Sequence, residues 1–237
     1  MKWEGHMKSA AVLGVLLAVG ILLGGIQMKQ AVAVWKRADR VVSVKGLAER
    51  DVKVDLVLWP LSYSVSANSL DSLHALMSRS EGKIRAFLVR HGFDEKDISS
   101  ATPKVSDLWA YGGESKPKER YRAEAVVLLR TSLIDQVKAV MPKTDELVKE
   151  GVLLSHSYEH RPQFIFTRLN EIKPDMIAKA TQNARAAAVQ FAKDSGSRVG
   201  KIRSAQQGYF SVEDLDSYTP DVKRVRVVTT IEYLLLD

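Results

Sequence analysis

The hydrophobic and polar positions follow two different patterns on either side of residue 40. From Ala10 to Ile26 the chain reads AAVLGVLLAVGILLGGI, without a charged side chain. A helix rises about 1.5 Å per residue, so this run and its flanking residues reach about the 30 Å of a bilayer's hydrocarbon core. Beyond residue 40 the apolar positions alternate or recur at helical spacing. The pattern predicts a membrane anchor and juxtamembrane segment at 1–40, followed by one soluble domain at 41–237.

Residues at both ends of the hydrophobic run favour a helix that spans the membrane. Trp3 and Trp35 lie beyond its two ends, where indole rings prefer the membrane interface. Gly20 and Gly24 form a GxxxG pair, and Gly14 belongs to a second stripe of small residues, so another helix could approach closely. We therefore expect membrane lipid as one partner and these glycines as a helix-packing surface.

A cleaved signal peptide is the alternative for this segment, because Ala31-Val32-Ala33 resembles a small-residue cleavage site. The apolar run is longer than the usual stretch of about 7–15 residues in a signal peptide, which favours a retained signal anchor. Basic residues flank both ends of the run, so the positive-inside rule does not decide its orientation.

Alternating apolar residues predict strands at both ends of the soluble domain and in its middle. Around Gly46 the alternation over 41–66 predicts two strands or one bent pair, and Pro60 indicates an edge or a bulge. Two further strands, Ile98–Tyr111 and Arg120–Thr131, are separated by a turn rich in glycine and charge. We expect these two strands to form a hairpin.

Apolar residues at helical spacing predict three helical segments. The first covers Ser69–His91, with its first residue as N-cap and Gly92 just beyond its end. The second opens at Ser132 and is interrupted at Pro142. The third runs from about Pro174 to Ser195. Its expected buried stripe consists of Ile177, Ala180, Ala184, Ala188 and Phe191.

The order of these elements favours an α+β fold, with an antiparallel-rich sheet and helices packed on one of its faces. Residues 152–168 are expected to be extended, and Val199–Phe210 and Lys223–Leu236 are the last two strands. Within the final strand, Val225–Leu235 is long, alternating and little protected by charge. Since an open edge of this kind invites pairing with another chain, we expect it to be an association edge.

Charge and cysteine content narrow the functional classes. The formal net charge is +7, but residues 1–40 carry +4 of it, with six basic against two acidic side chains. The nearly balanced soluble domain is a poor electrostatic footprint for DNA or RNA, so no nucleic-acid partner is expected. The absence of cysteine excludes disulfides and thiolate chemistry and leaves the compartment open.

One short motif suggests an enzyme. His156, Glu159 and His160 spell the HxxEH pattern of inverted zinc peptidases. That chemistry needs a helix, which places the two imidazoles on one face, about 6 Å apart. The preceding alternation and the nearby Pro162 instead predict an extended segment, where the two histidines would be about 13 Å apart. A zinc-dependent hydrolase therefore remains only the alternative function.

Other polar clusters have simpler interpretations. Asp94, Glu95 and Asp97 lie between a helix end and a strand start, where capping and solvation explain them. The basic stretches Lys116–Arg122 and Lys223–Arg226 fit a solvated loop and the polar face of a strand, with an anionic lipid or partner patch as the alternative. No GxGxxG, P-loop or GxSxG pattern is present. The sequence predicts no catalytic residue, cofactor or metal ligand.

Residues 41–237 resemble the SIMPL-domain family, which includes periplasmic immunogenic proteins of bacteria. The resemblance rests on four stretches in order: VSVKG at 42–46, HGFDEKDI at 91–98, the strand opening at Tyr121, and GSRVGKI at 196–202. The matching positions are Gly46, Gly92, Asp97, Ile98, Tyr121 and Gly200. Two departures are Leu47-Ala48, where the family often has a second glycine, and a short loop at 211–222.

The resemblance implies a cell-envelope protein without an established catalytic activity, loosely tied to stress responses. Some members of the family assemble into large hollow rings. The resemblance therefore implies that this chain associates with itself as a homo-oligomer, for which a ring is one form. The resemblance also implies a cytoplasmic N-terminus, with the domain in the periplasm. The combined expectation is a non-enzymatic, self-associating scaffold or binding module of the inner membrane.

Overall fold

The computed structural model describes residues 20, 21, 25, 28, 40–110, 116–155 and 160–236. The chain forms two compact units. The first unit takes the described part of Met1–Arg50 together with Lys173–Ser211 and Arg226–Asp237. The second unit consists of Asp51–Ile172 and Val212–Val225.

The described residues contain strands, helices and two short 3-10 helices. The strands are β1 Val41–Lys53, β2 Leu56–Ala67, β3 Ile98–Ser100, β4 Lys104–Asp107, β5 Tyr121–Thr131, β6 Gln163–Ile165, β7 Arg198–Gln207, β8 Ser211–Asp214 and β9 Val222–Leu236. The α-helices are α1 Leu70–Arg90, α2 Ile134–Val140, α3 Asp145–Lys149 and α4 Leu169–Asp194, and the 3-10 helices are Glu95–Asp97 and Met141–Thr144. The predicted α+β class, with antiparallel sheets and helices, is confirmed. The strands form two sheets where one was expected.

The first sheet has the strand order β1-β9-β7, and β8 also pairs with β9. The prediction that the terminal strand is an open edge is therefore wrong, since β9 is paired on both sides. Val225, Val227, Ile231 and Tyr233 of β9 are all buried. The alternation of apolar residues in β9 indicates that one face of this strand is buried. It carries no information about which strands lie beside β9 in the sheet.

Helix α4 covers this sheet through a stripe of small side chains. Its buried residues are Met176, Ala180, Ala184, Ala188 and Ala192. Two of the expected stripe residues were wrong, because Phe191 is 60% exposed and Ile177 is only half-buried. The alanines lie nearest the sheet, so the larger neighbouring side chains project to the sides.

The start of α4 also differs from the prediction. The helix begins at Leu169, and Pro174 lies inside it. Proline lacks an N–H and crowds the carbonyl four residues earlier, which is why it was expected to mark the helix start. Near the N-terminal end of a long helix this local cost is outweighed by the packing of the buried stripe.

The second sheet has the order β3-β5-β2-β6, with β4 also paired to β5. Strands β2 and β5 are antiparallel from Val57↔Thr131 to Ala67↔Tyr121. The predicted hairpin is confirmed, although its first arm is split into β3 and β4. The pairing shifts by one residue between Ser100↔Val127 and Lys104↔Glu124, a bulge that contains Pro103. Tyr111 lies outside the described residues.

Both predicted helices of the second unit are confirmed. The Ser69 hydroxyl accepts a hydrogen bond from the Ser72 N–H at 3.2 Å, as an N-cap does. Gly92 follows the helix in the left-handed conformation, with φ of 85°. The later segment is interrupted by the 3-10 helix at Pro142, as expected, but it begins at Ile134 without a side-chain cap from Ser132.

Pro60 lies where the outer edge of β2 loses its partner strand. Strand β6 pairs with the start of β2, and further along the Ser155 N–H donates to the Ser62 carbonyl (2.8 Å) and the Ser64 N–H to the Leu153 carbonyl (3.1 Å). Backbone groups of alternate residues point to the same side of a strand, so Pro60 faces the gap between these two paired stretches. Because proline lacks an N–H, none is left unpaired there. The predicted edge or bulge at Pro60 is confirmed.

The membrane-anchor prediction falls mainly on residues that the structure does not describe. Trp3, Gly14, Gly24 and Trp35 lie outside the described residues. Gly20 is helical, and a Cβ added there would meet no atom within 4 Å. In the described part of the chain, none of the helices combines the length and the apolar character needed to cross a bilayer.

Candidate functional site

Gly46 lies where β1 and α4 approach each other most closely. A Cβ added at this glycine would be 1.9 Å from the Ala180 carbonyl oxygen and 2.5 Å from the Ala184 nitrogen. No side chain fits at such distances, so the helix backbone lies directly on the strand. Gly46 was read as a possible break between strands, but β1 runs through it without interruption. Its role is close packing of backbone against backbone.

The HGFDEKDI stretch closes α1 and starts β3. The Gln136 side-chain amide donates to the His91 carbonyl at 2.6 Å, beside Gly92. Asp97 ends the short 3-10 helix, with its N–H donating to the Asp94 carbonyl at 3.0 Å. Ile98 then enters the core of the second unit, 6% exposed. These positions shape a helix end and a strand start and place no reactive group in a shared site.

The Asp94 side chain of the same stretch makes no cap. Asp94 occupies the N-cap position of the 3-10 helix without a side-chain capping bond. Its carboxylate lies 2.7 Å from the Lys96 ammonium, and both groups are largely exposed. The predicted solvation is observed, whereas the predicted capping is wrong at Asp94. An exposed ion pair of this kind contributes little to stability.

The other two motif positions lie at strand irregularities or turns. Tyr121 opens β5, and its ring centroid is 4.8 Å from the Arg120 guanidinium. Gly200 lies where the β7–β9 register shifts, and a Cβ there would be 3.0 Å from the Leu234 carbonyl oxygen. Each motif residue therefore has a local role in folding. Gly46 and Gly200 belong to the first unit, and the other four belong to the second.

The base of the β4–β5 hairpin carries a cluster of cations and aromatic rings. The Arg120 guanidinium donates to Oδ2 of Asp107 at 2.9 and 3.1 Å and to Oδ1 at 3.3 Å, and it lies 5.6 Å from the Trp109 ring. Lys116 lies 5.4 Å from the same ring. The hydrogen bonds from Arg120 lower the pKa of Asp107, and the same bonds raise that of Arg120. Part of this basic stretch is thus used to close the hairpin.

The basic stretch at the start of β9 is likewise paired. Lys223 contacts Asp214, Arg224 donates to Asp51 at 2.9 Å, and the Arg226 guanidinium lies 3.6 Å from Glu49. The hydrogen bond from Arg224 lowers the pKa of Asp51. Cations already paired with carboxylates make a weak surface for an anionic polymer or lipid, which favours the prediction of a polar strand face.

The HxxEH motif is only partly described. His156 and Glu159 lie outside the described residues, while His160 is half-buried at the start of the segment that leads to β6. In the described ranges no group of three or more His, Asp or Glu side chains could hold a metal ion. His160 itself has a 3-10 helical conformation, so the extended conformation predicted for this residue is wrong. The α-helix that zinc chemistry needs is not observed in the described part of the motif.

Strand β7 is the most open strand of the first unit. Its residues Lys201–Gln207 are all exposed, and no described strand pairs with the side that faces away from β9. The Gly208 N–H donates to the Val228 carbonyl at 2.8 Å, so the backbone of even-numbered residues near this end faces β9. The N–H groups of Ala205 and Gln207 therefore point outward.

Comparison with protein families gives a match over most of the chain. A family model described as SIMPL, a protein of unknown function, matches residues 42–230. The chain belongs to the SIMPL family. A search of the curated proteins finds no match to it.

The departures from the SIMPL pattern have visible consequences. Ala48, where the family often carries a second glycine, is 5% exposed and continues the buried face of β1. The short loop at 211–222 contains β8 and a turn in which the Asp216 carboxylate accepts from the N–H groups of Tyr218 and Thr219, both at 2.7 Å. Those bonds lower the pKa of Asp216.

The open edge of β7 is the feature that sequence reasoning missed. Its signal was present, since Arg198, Lys201 and Arg203 supply charge to a strand that has no acidic residue. Charged residues are common on edge strands, whereas the apolar alternation of β9 is typical of a covered strand. The candidate functional surface of this SIMPL protein is therefore the β7 edge.

Proposed function

We propose that this SIMPL protein is a membrane-anchored, self-associating protein of the bacterial cell envelope, with its soluble domain in the periplasm as a non-enzymatic scaffold or binding module. The open β7 edge is the observation that carries the proposal. An exposed edge presents unpaired N–H and C=O groups that another strand can pair with. A role connected with stress rests on the family resemblance alone.

The edge has side chains suited to association as well as free backbone groups. Ile202 is 51% exposed on β7, and Tyr209 just beyond the strand is 99% exposed. Aromatic and apolar side chains beside an open strand supply contact area when a second strand is added. Lys201 and Arg203 of β7 discourage two copies of the edge from pairing with each other, so a different strand of the second copy is the better partner. Such a head-to-tail contact builds rings or filaments.

Support for the anchor comes from the sequence. The uncharged run Ala10–Ile26 has the length of a spanning helix, and tryptophans lie beyond both of its ends. A single pair of membrane helices gains little from close glycine packing, because lipid already covers the apolar surface. We therefore assign assembly mainly to the soluble domain and reinforcement to the helix.

Topology can be tested with reporter fusions in a bacterial host. A reporter that is active only outside the cytoplasm, fused after Asp237, should be active, and the protein extracted from membranes should retain Met1–Ala33. Mass spectrometry of the intact chain supplies the second readout. A soluble product that begins near Val34 would show that the segment is a cleaved signal.

The division of labour in assembly can be tested by measuring particle mass. A protein that begins near Asp39 should still oligomerise in detergent-free buffer, while Gly20→Ile with Gly24→Ile in the full chain should loosen the assembly without dissolving it. Multi-angle light scattering at micromolar concentration distinguishes these states. A monomeric truncated protein would make the membrane helix the organising element and reject this part of the proposal.

The zinc-hydrolase alternative gains no support from the described residues. Of its motif only His160 is described, and the described ranges supply no cluster of ligands around it. Zinc analysis of the purified chain, before and after His156→Ala with His160→Ala, would reopen it if stoichiometric metal were found and then lost.

A further inference from the structure

The outer side of β1 is a second open edge of the first sheet. No described strand pairs with the side of β1 that faces away from β9. The Leu235 N–H donates to the Arg40 carbonyl at 2.8 Å, so the backbone groups of even-numbered residues near this end of β1 face β9. The N–H and C=O groups of Val41, Ser43 and Lys45 therefore point outward.

One side of α4 lies along this outer edge of β1. The Asn183 side-chain amide donates to the outward-pointing Leu47 carbonyl at 2.7 Å. Four residues further along the helix, Ala187 packs against the same buried cluster as Val42 does. Phe191 follows after four more residues and so belongs to the same side of α4, and it is 60% exposed. An aromatic ring is thus left open to solvent beside the start of β1.

The β7 edge has an exposed apolar side chain on the same face of the sheet. Ile202 lies opposite Tyr233 of β9, and Tyr233 is buried in a cluster that includes Ala184 of α4. Residues directly opposite each other in neighbouring strands share a face, so Ile202 lies on the α4 face, where it is 51% exposed. Each of the two edges therefore has a large apolar side chain on the α4 side.

The two edge strands run in the same direction. Strand β7 is antiparallel to β9. Strand β1 is also antiparallel to β9, because Arg40 lies beside Leu235 and Glu49 lies beside Arg226. A second copy in the same orientation can therefore place its β7 parallel to β1 of the first copy, and this step can be repeated head to tail.

Strand length also favours β1 as the partner of β7. Strand β7 has 10 residues and β1 has 13. At the edges of the second sheet, β3 and β6 have three residues each and β4 has four. Very short edge strands are one way in which proteins avoid pairing with other chains, so the long β1 is the better match.

We propose that the β7 edge of one copy pairs in parallel with the outer edge of β1 in the next copy, which brings Ile202 of the first copy beside Phe191 of the second. This inference rests on the proposed self-association and names the surface that receives β7. Between Val41 and Leu47 the only charged side chain is Lys45, so the basic side chains of β7 meet less repulsion there than against a second β7. Each copy uses both edges, and the sheet continues from copy to copy.

The test places a proline at each edge of the full chain and measures particle mass by light scattering in mild detergent. Ser43→Pro removes an outward N–H from β1 and should reduce the particle mass, as Ala205→Pro should on β7. Each variant keeps one intact edge, so the β7 edge of the Ser43→Pro chain can still pair with the β1 edge of the Ala205→Pro chain. When co-expressed with different tags, these two chains should copurify about tenfold more than two tagged copies of either variant do.

Side chains at the contact supply a second measurement. Phe191→Ala removes the exposed ring and should raise the concentration at which the particles dissociate about tenfold. Val189→Ala is the matched control, because Val189 is 50% exposed on the same helix but does not share the side marked by Asn183 and Phe191. Circular dichroism and thermal melting verify that each variant is folded.

Cross-linking locates the contact without a change to either backbone edge. The chain has no cysteine, so Ser43→Cys and Ser204→Cys each introduce a single thiol, on the face of the sheet away from α4. A short bismaleimide should join the two variants when they are co-expressed. It should join neither variant to itself, because equivalent residues of adjacent copies would be three strand spacings, about 14 Å, apart.

The inference is overturned if folded Ser43→Pro keeps the full particle mass, if the two proline variants do not copurify preferentially, or if the Ser204→Cys chain is cross-linked to itself. If Ala205→Pro reduces the particle mass and Ser43→Pro does not, the β7 edge keeps its role and only the assignment of β1 is rejected. A monomeric unmodified chain would instead reject the proposed self-association, and this inference with it.

Discussion

In the first unit α4 lies on its sheet through alanines, whereas in the second unit α1 lies on its sheet through leucine, isoleucine and phenylalanine side chains. The difference reaches the strands beneath. Opposite the alanines is Gly46, without a side chain, beside Ile231 and Tyr233 of β9, and opposite α1 are large residues such as Trp59 and Tyr63. The first layer is built on close approach of backbones, and the second is built on side-chain volume.

The two layers should fail in opposite ways. A layer of small residues buries little apolar area per residue, and its tightness leaves no room for an added methyl group. A layer of large residues tolerates small additions at its margins but loses much when a ring is removed, because the surrounding side chains do not collapse fully into the space. The predictions below test this contrast.

The largest expected effect is in the second unit. Phe87 of α1 is fully buried, and Phe87→Ala should cost about 3–5 kcal/mol in the free energy of unfolding, through lost transfer energy and a residual cavity. Urea denaturation measures the cost. Val89→Ala on the exposed side of the same helix is the control and should change stability by less than about 0.5 kcal/mol. Similar losses for both would mean that α1 is not packed through this stripe.

Added volume should be harmful in the first unit. Gly46→Ala places a Cβ against the Ala180 and Ala184 backbone, so helix and strand must separate, at a cost of about 1–3 kcal/mol. Gly82→Ala is the matched control in α1, where a Cβ meets no atom within 4 Å. It should stabilise the protein by about 0.5–1 kcal/mol, because alanine favours the helix more than glycine does. If both substitutions stabilise, the close approach of β1 and α4 does not exist in solution.

Acidification should have smaller effects on the free energy of unfolding, through carboxylates of the second unit. Burial alone would raise the pKa of Asp55, but hydrogen bonds from the Thr167 N–H and hydroxyl and from Arg168 outweigh it, and the pKa is lowered. The hydrogen bond from Lys138 likewise lowers the pKa of Asp221. A lowered pKa contributes stability that is present above the ordinary value of 3.8 and is lost as the pH falls through the value in the folded protein.

The measurement for this effect is denaturant unfolding between neutral pH and about pH 3. Asp55→Asn, which keeps an acceptor oxygen but no charge, should show a shallower loss of stability on acidification than the unmodified chain. An equally steep loss of stability in Asp55→Asn would show that the Asp55 carboxylate does not contribute to the pH dependence. Asp175→Asn on the exposed surface of α4 is the control.

Local signals explain which parts of the fold were predictable. Helix α1 was correct at both ends because Ser69, the apolar spacing and Gly92 act within a few residues of each other. The position of β9 in its sheet was wrong because lateral pairing also joins strands far apart in sequence, here β9 with β1. Phe191 was assigned inward because its spacing fits, while the actual stripe depends on how closely α4 approaches Gly46.

The candidate sites were less accessible to sequence reasoning than the fold. The charges of Lys201 and Arg203 could have marked β7 as an edge, but the strand it pairs with had to be known first.

The central claim, that the β7 edge mediates self-association, is tested most directly by the particle mass of the full chain carrying Ala205→Pro. This substitution removes an N–H that points away from β9, so it should leave the sheet intact and block addition of a strand. Gln206→Pro, one residue further, removes an N–H that faces Thr230 of β9 and should instead lower stability. The account predicts that light scattering finds smaller particles for Ala205→Pro with an unchanged melting temperature. Particles of unchanged mass in a folded Ala205→Pro protein would contradict it.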